Sequence, residues 1–286
     1  VNMLESTFKF ARPEIVFHLA AQPLVRESYI DPVETFTTNV VGTINLFEMV
    51  RKISSVRAVI NVTTDKCYEN KESLKPFVEN DSIGGYDPYA ASKGCSELIT
   101  ASYRQSFLAE NDVALASARA GNVIGGGDWS KDRLIPDFLR ALDSGEDLII
   151  RSPDAIRPWQ HVLEPLKGYL QLGEKLITEG QSYAEAWNFG PSDKNTKTVE
   201  FILKKLNQEF PQAKWDIDRS TQPYEAHYLA LDSTKANKKL KWQPRWKLDD
   251  ALDSIISWHH AWHNRDNMQH FSLSQINDYE KLVYSS

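Results

Sequence analysis

Three short apolar runs, Ile15–Ala20 (IVFHLA), Ala58–Thr64 (AVINVTT) and Leu115–Ala120 (LASARA), punctuate the first part of the chain, and each ends at a polar loop. Helical patterns lie between them, roughly Pro32 to Lys52 and Pro88 to Glu110. In the second, Ala91, Leu98, Ile99 and Tyr103 recur at helical spacing. Strands alternating with long helices predict a parallel sheet covered on both faces, a doubly wound, Rossmann-like α/β fold. Right-handed crossovers put the carboxyl ends of such strands at one edge, where ligands bind in open α/β sheets. Gln22, Thr63, Thr64, Asp65, Lys66 and Asn122 all fall at or just past a strand end, so the pattern converges them.

After Gly121 the texture changes. Gly125-Gly126-Gly127-Asp128 reads as a flexible loop. Helices are expected at Leu134–Leu142, Glu164–Thr178, Thr198–Glu209, Ser233–Leu240 and Leu248–Asn264, with strands at Leu148–Ile150, Arg157–Val162 and Ala186–Phe189. The polar tail from Asp266 is expected to be loosely held, with a last helix at Ser274–Tyr284. The reading divides the chain into a nucleotide-binding part, residues 1–121 with about 157–180, and a smaller C-terminal substrate-binding portion, 122–156 with 181–286.

The strongest chemical signal is Tyr86-Asp87-Pro88-Tyr89-Ala90-Ala91-Ser92-Lys93. A proline opens the helix, and Tyr89 and Lys93 stand one turn apart on one face. A free phenol titrates near ~10, so a phenol serving as base at pH 7 needs its phenolate favoured by about 4 kcal/mol. A cation at ~6 Å in an effective dielectric of about 20 supplies roughly 3 kcal/mol, and a cationic nicotinamide ring can supply the remaining ~1 kcal/mol. A bare YxxxK is more often an ordinary helix face; its surroundings decide.

Composition narrows the classes. The 286 residues carry a net charge of −6 with both signs interspersed, which argues against nucleic acid as a partner. No apolar run approaches the ~18 residues that span a bilayer, and no signal peptide is visible, so no membrane partner is expected and the chain reads as a cytoplasmic enzyme. Cys67 and Cys95 make no disulfide framework. No G-x-S-x-G elbow is present, which removes the common α/β-hydrolase reading. His259 and His263 form an i,i+4 pair without a carboxylate or cysteine at an obvious spacing, so they read as helix surface and no metal site is expected. His18, inside an apolar strand, reads as a core residue.

A dinucleotide-binding sheet usually opens with a G-x-G-x-x-G turn. None occurs, and Gly121-Asn122-Val123-Ile124-Gly125-Gly126-Gly127 has the wrong spacing. With valine at position 1, the expectation is that the phosphate-cradling βαβαβ part lies upstream in a longer natural chain. The Ile15–Ala20 strand is then expected at an unprotected sheet edge, an aggregation hazard.

Several blocks together carry a resemblance: HLAAQPLVRESY (His18–Tyr29), TTDKCYEN (Thr63–Asn70), GGYDPYAASK (Gly84–Lys93), ARAGNVIGGGDW (Ala118–Trp129), DRLIPD (Asp132–Asp137) and RPWQHVLEPLKGYL (Arg157–Leu170). With them the chain resembles the extended short-chain dehydrogenase/reductase family, in its branch of nucleotide-sugar 4,6-dehydratases, from about Pro13 to Trp262. Branch members acting on dTDP-glucose and GDP-mannose carry Asp-Glu after the threonine. Asp65-Lys66 here favours a CDP-sugar, CDP-glucose, as substrate.

The resemblance implies NAD as cofactor, a homodimer, and a place in lipopolysaccharide O-antigen biosynthesis. Tyr89 is implied as the base on the sugar 4-hydroxyl, Thr64 as its orienting partner, and Lys93 as the cation beside both phenol and ribose. Asp65 is implied as the acid for the leaving 6-hydroxyl, and Lys66 as the C5 base or its positioner. Cofactor contacts are expected from Ala20, Ala21, Gln22, Asn39, Thr63, Tyr89 and Lys93; plain core packing is the rival reading for Ala20. Substrate contacts are expected from Asn122, Trp129, Arg133, Leu134, Arg157 and His227, with Arg157 suited to a pyrophosphate. A 4-epimerase or decarboxylase on the same scaffold, or a catalytically dead binding protein, are the alternatives. The absent glycine-rich turn implies weak cofactor binding by this polypeptide as it stands.

Overall fold

The apolar runs form strands close to where the pattern puts them. The structure, a computed structural model, describes residues 2–192 and 195–284. In chain order come α1 (Asn2–Ala11), β1 (Ile15–His18), α2 (Val25–Ile30), α3 (Pro32–Phe36), α4 (Gly42–Lys52), β2 (Ala58–Val62), α5 (Pro88–Tyr103) and β3 (Ala114–Arg119). Then follow β4 (Val123–Ile124), α6 (Leu134–Ser144), β5 (Leu148–Ile150), β6 (Ile156–Pro158), β7 (Gln160–His161), α7 (Leu163–Glu179) and β8 (Ala186–Asn188). The chain continues through β9 (Thr196–Thr198), α8 (Val199–Glu209), β10 (Trp215–Ile217), α9 (Thr234–Leu240), α10 (Leu248–His263) and α11 (Met268–Tyr284).

Two compact units divide the chain. The first holds Val1–Ala120, Lys167–Phe189 and Leu231–Trp242; the second holds Gly121–Leu166, Gly190–Ala230 and Gln243–Ser286. The change of texture at Gly121 coincides with a division. Residues 157–166 lie in the second unit and not with the nucleotide-binding part. Ala186–Asn188 and 231–242 lie in the first and not in the substrate portion. The reason is pairing: β8 extends the parallel sheet beyond β3, a partner that no local pattern announces.

In the first unit the sheet runs β1-β2-β3-β8, all parallel. Both faces are covered. Val59 and Leu115 pack with Phe8, Leu46, Phe47 and Val50 on one side. On the other side Phe17 and Ile60 meet α7 where Gly173 lets them approach. The alternation of Val59, Ile60 and Asn61 between faces is the period-2 pleat. Among the described residues β1 pairs with β2 alone, so it is an edge strand of this sheet.

The patterned helices form with local departures. Pro32–Lys52 is α3 and α4 joined by a π-helical turn, Thr37–Val41. Such turns occur frequently at functional sites, and this one carries the buried Asn39. Asp87 caps α5, accepting from Ala90 N at 2.8 Å, and Pro88 stands in its first turn. Of the apolar residues read along α5, Ile99 and Tyr103 pack against the core but Leu98 is 61% exposed, and the helix also buries Ser92, Lys93, Ser96, Glu97 and Thr100.

The second unit has its own core, where Ile135, Phe138, Ile202, Leu206, Leu252 and Ile255 pack together. Its tail is held, contrary to the loose end expected after Asp266. Tyr279 is buried and donates to Glu164 Oε2 at 2.7 Å. Glu164 Oε1 accepts from the backbone of Arg245 and Trp246. A buried carboxylate needs donors, and the tail supplies one. Gly126 lies so close to Trp258 that a Cβ there would sit 2.2 Å from the indole ring, so the expected flexible loop is packed against an aromatic wall.

Two histidines set an acid limit. Burial, with a contribution from Lys93, lowers His18 to about 4, and burial lowers His161 to about 4. His18 is half-buried and meets Thr43 Oγ1 at 3.3 Å, so it is less enclosed than a core position. Both rings are neutral in the fold, and the unfolded chain binds their protons first. Stability is therefore present above pH ~6.5 and falls as the pH drops toward 4, by about 2–3 kcal/mol per ring. We predict that the denaturant midpoint falls between pH 6.5 and 4.5, and that a His18→Asn/His161→Gln double variant shows a clearly flatter dependence in equilibrium unfolding.

Candidate active site

Thr63–Lys66 follow β2 directly, and the strand geometry turns them into a tight corner. Thr63 N still pairs with Ala118 O at 2.8 Å, and Asp65 N with Ala120 O at 3.2 Å. Thr64 caps the single 3-10 turn Asp65–Cys67, its Oγ1 accepting from Lys66 N at 3.3 Å and donating to Asp65 Oδ1 at 3.0 Å. Asp65 is 1% exposed and Lys66 is half-buried. Gly85 clears the approach to α5, since a Cβ there would lie 2.2 Å from Ala91 N. The five expected catalytic residues, Thr64, Asp65, Lys66, Tyr89 and Lys93, all belong to the first unit.

Helix α5 presents Tyr89, Lys93 and Glu97 at successive turns of one buried face. Lys93 Nζ donates to the carbonyl of Val62, the last residue of β2, at 3.2 Å. Burial lowers Lys93 to about 8, opposed by the charge of Glu97. The cation is thus enclosed beside the sheet end and not turned to bulk solvent. Val62 O is its one hydrogen-bond acceptor among the described residues, so two ammonium protons remain available for hydroxyls such as those of a ribose.

Beneath this lies a polar network that sequence reasoning missed. Glu97 and Arg119 form a bidentate pair, Nε to Oε1 at 2.9 Å and Nη2 to Oε2 at 2.7 Å. Both are at most 5% exposed. Thr63 Oγ1 also donates to Glu97, and Ser117 Oγ does so at 2.7 Å. Burial pushes the Glu97 carboxyl up, but Arg119 and the hydroxyl donors outweigh it and hold it below the usual range. Arg119 Nη1 reaches Tyr68 OH at 2.7 Å, and Tyr68 donates to Asn188 Oδ1 at 2.7 Å. Asn61 Nδ2 donates to Ser96 Oγ and Thr100 Oγ1 at 3.0 and 2.7 Å. The signal was present: Ser92, Ser96 and Thr100 repeat along α5, and Ser117 and Arg119 put polar groups on one pleat face of an apolar strand.

The expected cofactor residues sit past β1. Asn39 Oδ1 accepts from Gln22 N at 2.9 Å, and its Nδ2 donates to Gln22 O and Ser92 Oγ, each at 2.9 Å. Gln22 in turn donates to Thr35 Oγ1 at 2.7 Å. These amides fix the loop after β1 onto α5. Ala20 is exposed, which removes the core-packing reading, and Ala21 is half-buried. A small exposed residue at a parallel strand's carboxyl end leaves room for a nucleotide. With the ammonium protons of Lys93, these groups fit NAD.

The expected substrate residues lie in the second unit. Arg157 and His227 come together: Arg157 Nη1 donates to His227 O at 3.1 Å, and Nη2 pairs with Glu225 at 3.5 Å. Arg157 is 5% exposed, so its guanidinium is enclosed. Arg133 and Leu134 begin α6, and Arg133 pairs with Asp128 at 2.7 Å. Asn122 adopts a left-handed φ of +40° at the unit division. Trp129 is 52% exposed, its ring against Trp262 at 4.8 Å, so it is no core residue. His259 and His263 differ most from expectation: His259 is buried, and the carboxylate of Asp143 meets both. That carboxylate comes from α6, more than a hundred residues away, beyond any spacing rule.

A parallel sheet with a Tyr–Lys helix and a Thr-Asp corner at its carboxyl edge defines an extended short-chain dehydrogenase/reductase. Residues 1–255 match the model of the GDP-mannose 4,6 dehydratase family, and the chain belongs to that family. It is 52% identical over 274 residues to CDP-glucose 4,6-dehydratase of Salmonella typhimurium, covering 94% of this chain and 76% of that protein. It is 26% identical over 278 residues to dTDP-glucose 4,6-dehydratase of the same organism, covering 89% and 74%. Among solved structures, UDP-glucose 4-epimerase of Thermotoga maritima with UDP-glucose matches with TM-score 0.76 at 25% identity, over 90% and 80% of the chains. The dTDP-glucose 4,6-dehydratase of Streptomyces venezuelae with NAD bound shares the fold, TM-score 0.76 at 22% identity, over 91% and 76%.

Enclosing a lysine charge is costly. At pH 7 Lys93 is charged both folded and unfolded, so the wild type bears the full burial penalty. That penalty disappears as the pH rises from about 8 toward ~10.5, where the folded form deprotonates first. We predict that Lys93→Met raises stability at pH 7 by about 1–3 kcal/mol, with the gain shrinking above pH 8. Denaturant unfolding across pH measures it.

Proposed function

We propose that this chain is an NAD-dependent nucleotide-sugar 4,6-dehydratase that converts CDP-D-glucose to CDP-4-keto-6-deoxy-D-glucose with loss of water. The observation that carries the reading is the buried Thr64–Asp65 corner, with Lys66 beside it, following the strand whose last carbonyl holds Lys93. An epimerase needs only a base and a hydride carrier; a dehydratase also needs an acid and a base for C5 and C6. The 52% identical relative is a CDP-glucose 4,6-dehydratase, which supports this substrate.

NAD, held by the loop after β1 and by Lys93, would supply the hydride acceptor and donor that the reaction at C4 and C6 needs. Tyr89 takes the proton of the sugar 4-hydroxyl, and Thr64 orients that hydroxyl. Lys93 favours the phenolate and holds ribose hydroxyls. Once C4 is a ketone, the C5 proton is acidic; Lys66 removes or positions its removal, and Asp65 protonates the departing 6-hydroxyl. Ala20, Ala21, Gln22, Asn39 and Thr63 line or fix the cofactor side. Asn122, Trp129, Arg133, Leu134, Arg157 and His227 take the nucleotide. The product is a precursor of deoxysugars such as those of the lipopolysaccharide O-antigen. We place the protein in the cytoplasm, in keeping with two free cysteines; among the described residues no helix is long and apolar enough to cross a membrane.

The protein in its natural form, given CDP-glucose and NAD, should yield a product lighter by one water, absorbing in alkali. Tyr89→Phe should lower kcat by about 10²–10⁴. An unchanged mass with an inverted C4 centre, or a Tyr89→Phe rate equal to wild type, contradicts the assignment.

We infer a homodimer, supported by exposed apolar side chains on α3, the π-helical turn and α5. Leu98 is 61% exposed, and Val33 and Val41 on the preceding helical segment are 74% and 46% exposed. Val33 and Val41 line an apolar groove with Phe36, Val40 and, from α5, Cys95. Two adjacent apolar helices on one face suit a second copy of the same face, as an isologous interface requires. Leu98→Glu with Val33→Glu should convert a dimer into a folded monomer in light scattering; a wild-type monomer at micromolar concentration contradicts the interface.

A further inference from the structure

The geometry points to a second site, a divalent transition-metal site in the second unit built from Asp143, His259 and His263. Asp143 ends α6, and the two histidines stand one turn apart near the end of α10. Both imidazoles aim Nε2 at the same carboxylate oxygen. Asp143 Oδ1 lies 3.0 Å from His259 Nε2 and 2.7 Å from His263 Nε2. The three ligand atoms lie within 4.8 Å of one another. A tetrahedral zinc with bonds of about 2.0–2.1 Å needs its ligand atoms ~3.3 Å apart. Movements within side-chain rotamer freedom therefore convert the hydrogen-bonded cluster into a two-nitrogen, one-oxygen coordination set.

The surroundings give the cluster one enclosed side and one open side. His259 is 2% exposed, and its Nδ1 has no hydrogen-bond partner among the described residues. Bound to a metal through Nε2, this ring would carry its proton on Nδ1. The ring is fixed by Phe210 and Trp262, the latter stacked at 5.9 Å. His263 lies edge-on to Trp262 at 5.0 Å and is about half exposed, so an ion has an entry path and a position for water. Imidazole and carboxylate without thiolate select Zn²⁺, Co²⁺, Ni²⁺ or Cu²⁺ over Mg²⁺ or Ca²⁺. The ion would tie the carboxyl end of α6 to α10, a structural clasp apart from Tyr89 and Lys93.

The test is titration of the EDTA-treated, dialysed protein with Zn²⁺ and Ni²⁺, with Mg²⁺ as control. Trp262 reports Ni²⁺ or Cu²⁺ by fluorescence quenching, and thermal unfolding reports stabilisation. The expected result is saturable one-to-one binding with a raised Tm for Zn²⁺ and none for Mg²⁺. His263→Ala and Asp143→Asn, both at exposed positions, should weaken binding by more than about tenfold while keeping the apo Tm within a few degrees. Absent binding overturns the proposal and leaves a hydrogen-bonded staple. Equal binding in both variants also overturns it, by placing the metal elsewhere.

Discussion

The buried pair of Glu97 and Arg119 is the interaction on which the rest of the site depends. A helix packed on a parallel sheet normally buries an apolar stripe, and α5 buries hydroxyls, a lysine and a glutamate as well. Such a face is tolerable only where every charge is answered. Arg119, reaching up from β3, answers Glu97 with two hydrogen bonds, and Thr63 and Ser117 add two more. Removing one member of such a pair leaves the other uncompensated, at a cost of about 3–5 kcal/mol. The network therefore fixes α5 in rotation and height against β2 and β3. Glu97 also contributes the negative charge that keeps Lys93 protonated in an enclosed position.

Positioning follows from this anchor. The same helix face carries Tyr89 and Lys93 to the carboxyl end of β2, where Thr64 and Asp65 turn the corner. The amides of Asn39 and Gln22 clamp the loop after β1 through Ser92. Each element around the cofactor side is thus tied to α5, and the ties are hydrogen bonds with defined directions. A hydride transfer tolerates little misplacement, since an error of about 1 Å can lower the rate a hundredfold.

Much of the fold was legible because strands and helices differ in period. The strands β1, β2 and β3 and the long helices were readable from alternation alone. The proposed catalytic set, Tyr89/Lys93 and Thr64-Asp65-Lys66, was named in the sequence because the chemistry asks for particular side chains at particular spacing. What escaped shares one cause, dependence on distant partners. β8 needs β3, Tyr279 needs Glu164, and Asp143 meets two histidines from another helix. Leu98 of α5 misled for a related reason: it reads as core in one chain but lies on an outer face. The burial of Arg157 was not foreseen, because two of its acceptors are backbone carbonyls, which sequence does not display.

The most direct measurement is the titration of Lys93 itself, by NMR of selectively labelled lysine, in the wild type and in Glu97→Gln. An enclosed ammonium held charged by Glu97 should titrate near 8 in the wild type and distinctly lower in the variant, where Arg119 is left without its counter-charge. A wild-type value near the free-lysine ~10.4, unmoved by Glu97→Gln, would mean that the lysine is solvated and the network irrelevant to it, and the account would be contradicted.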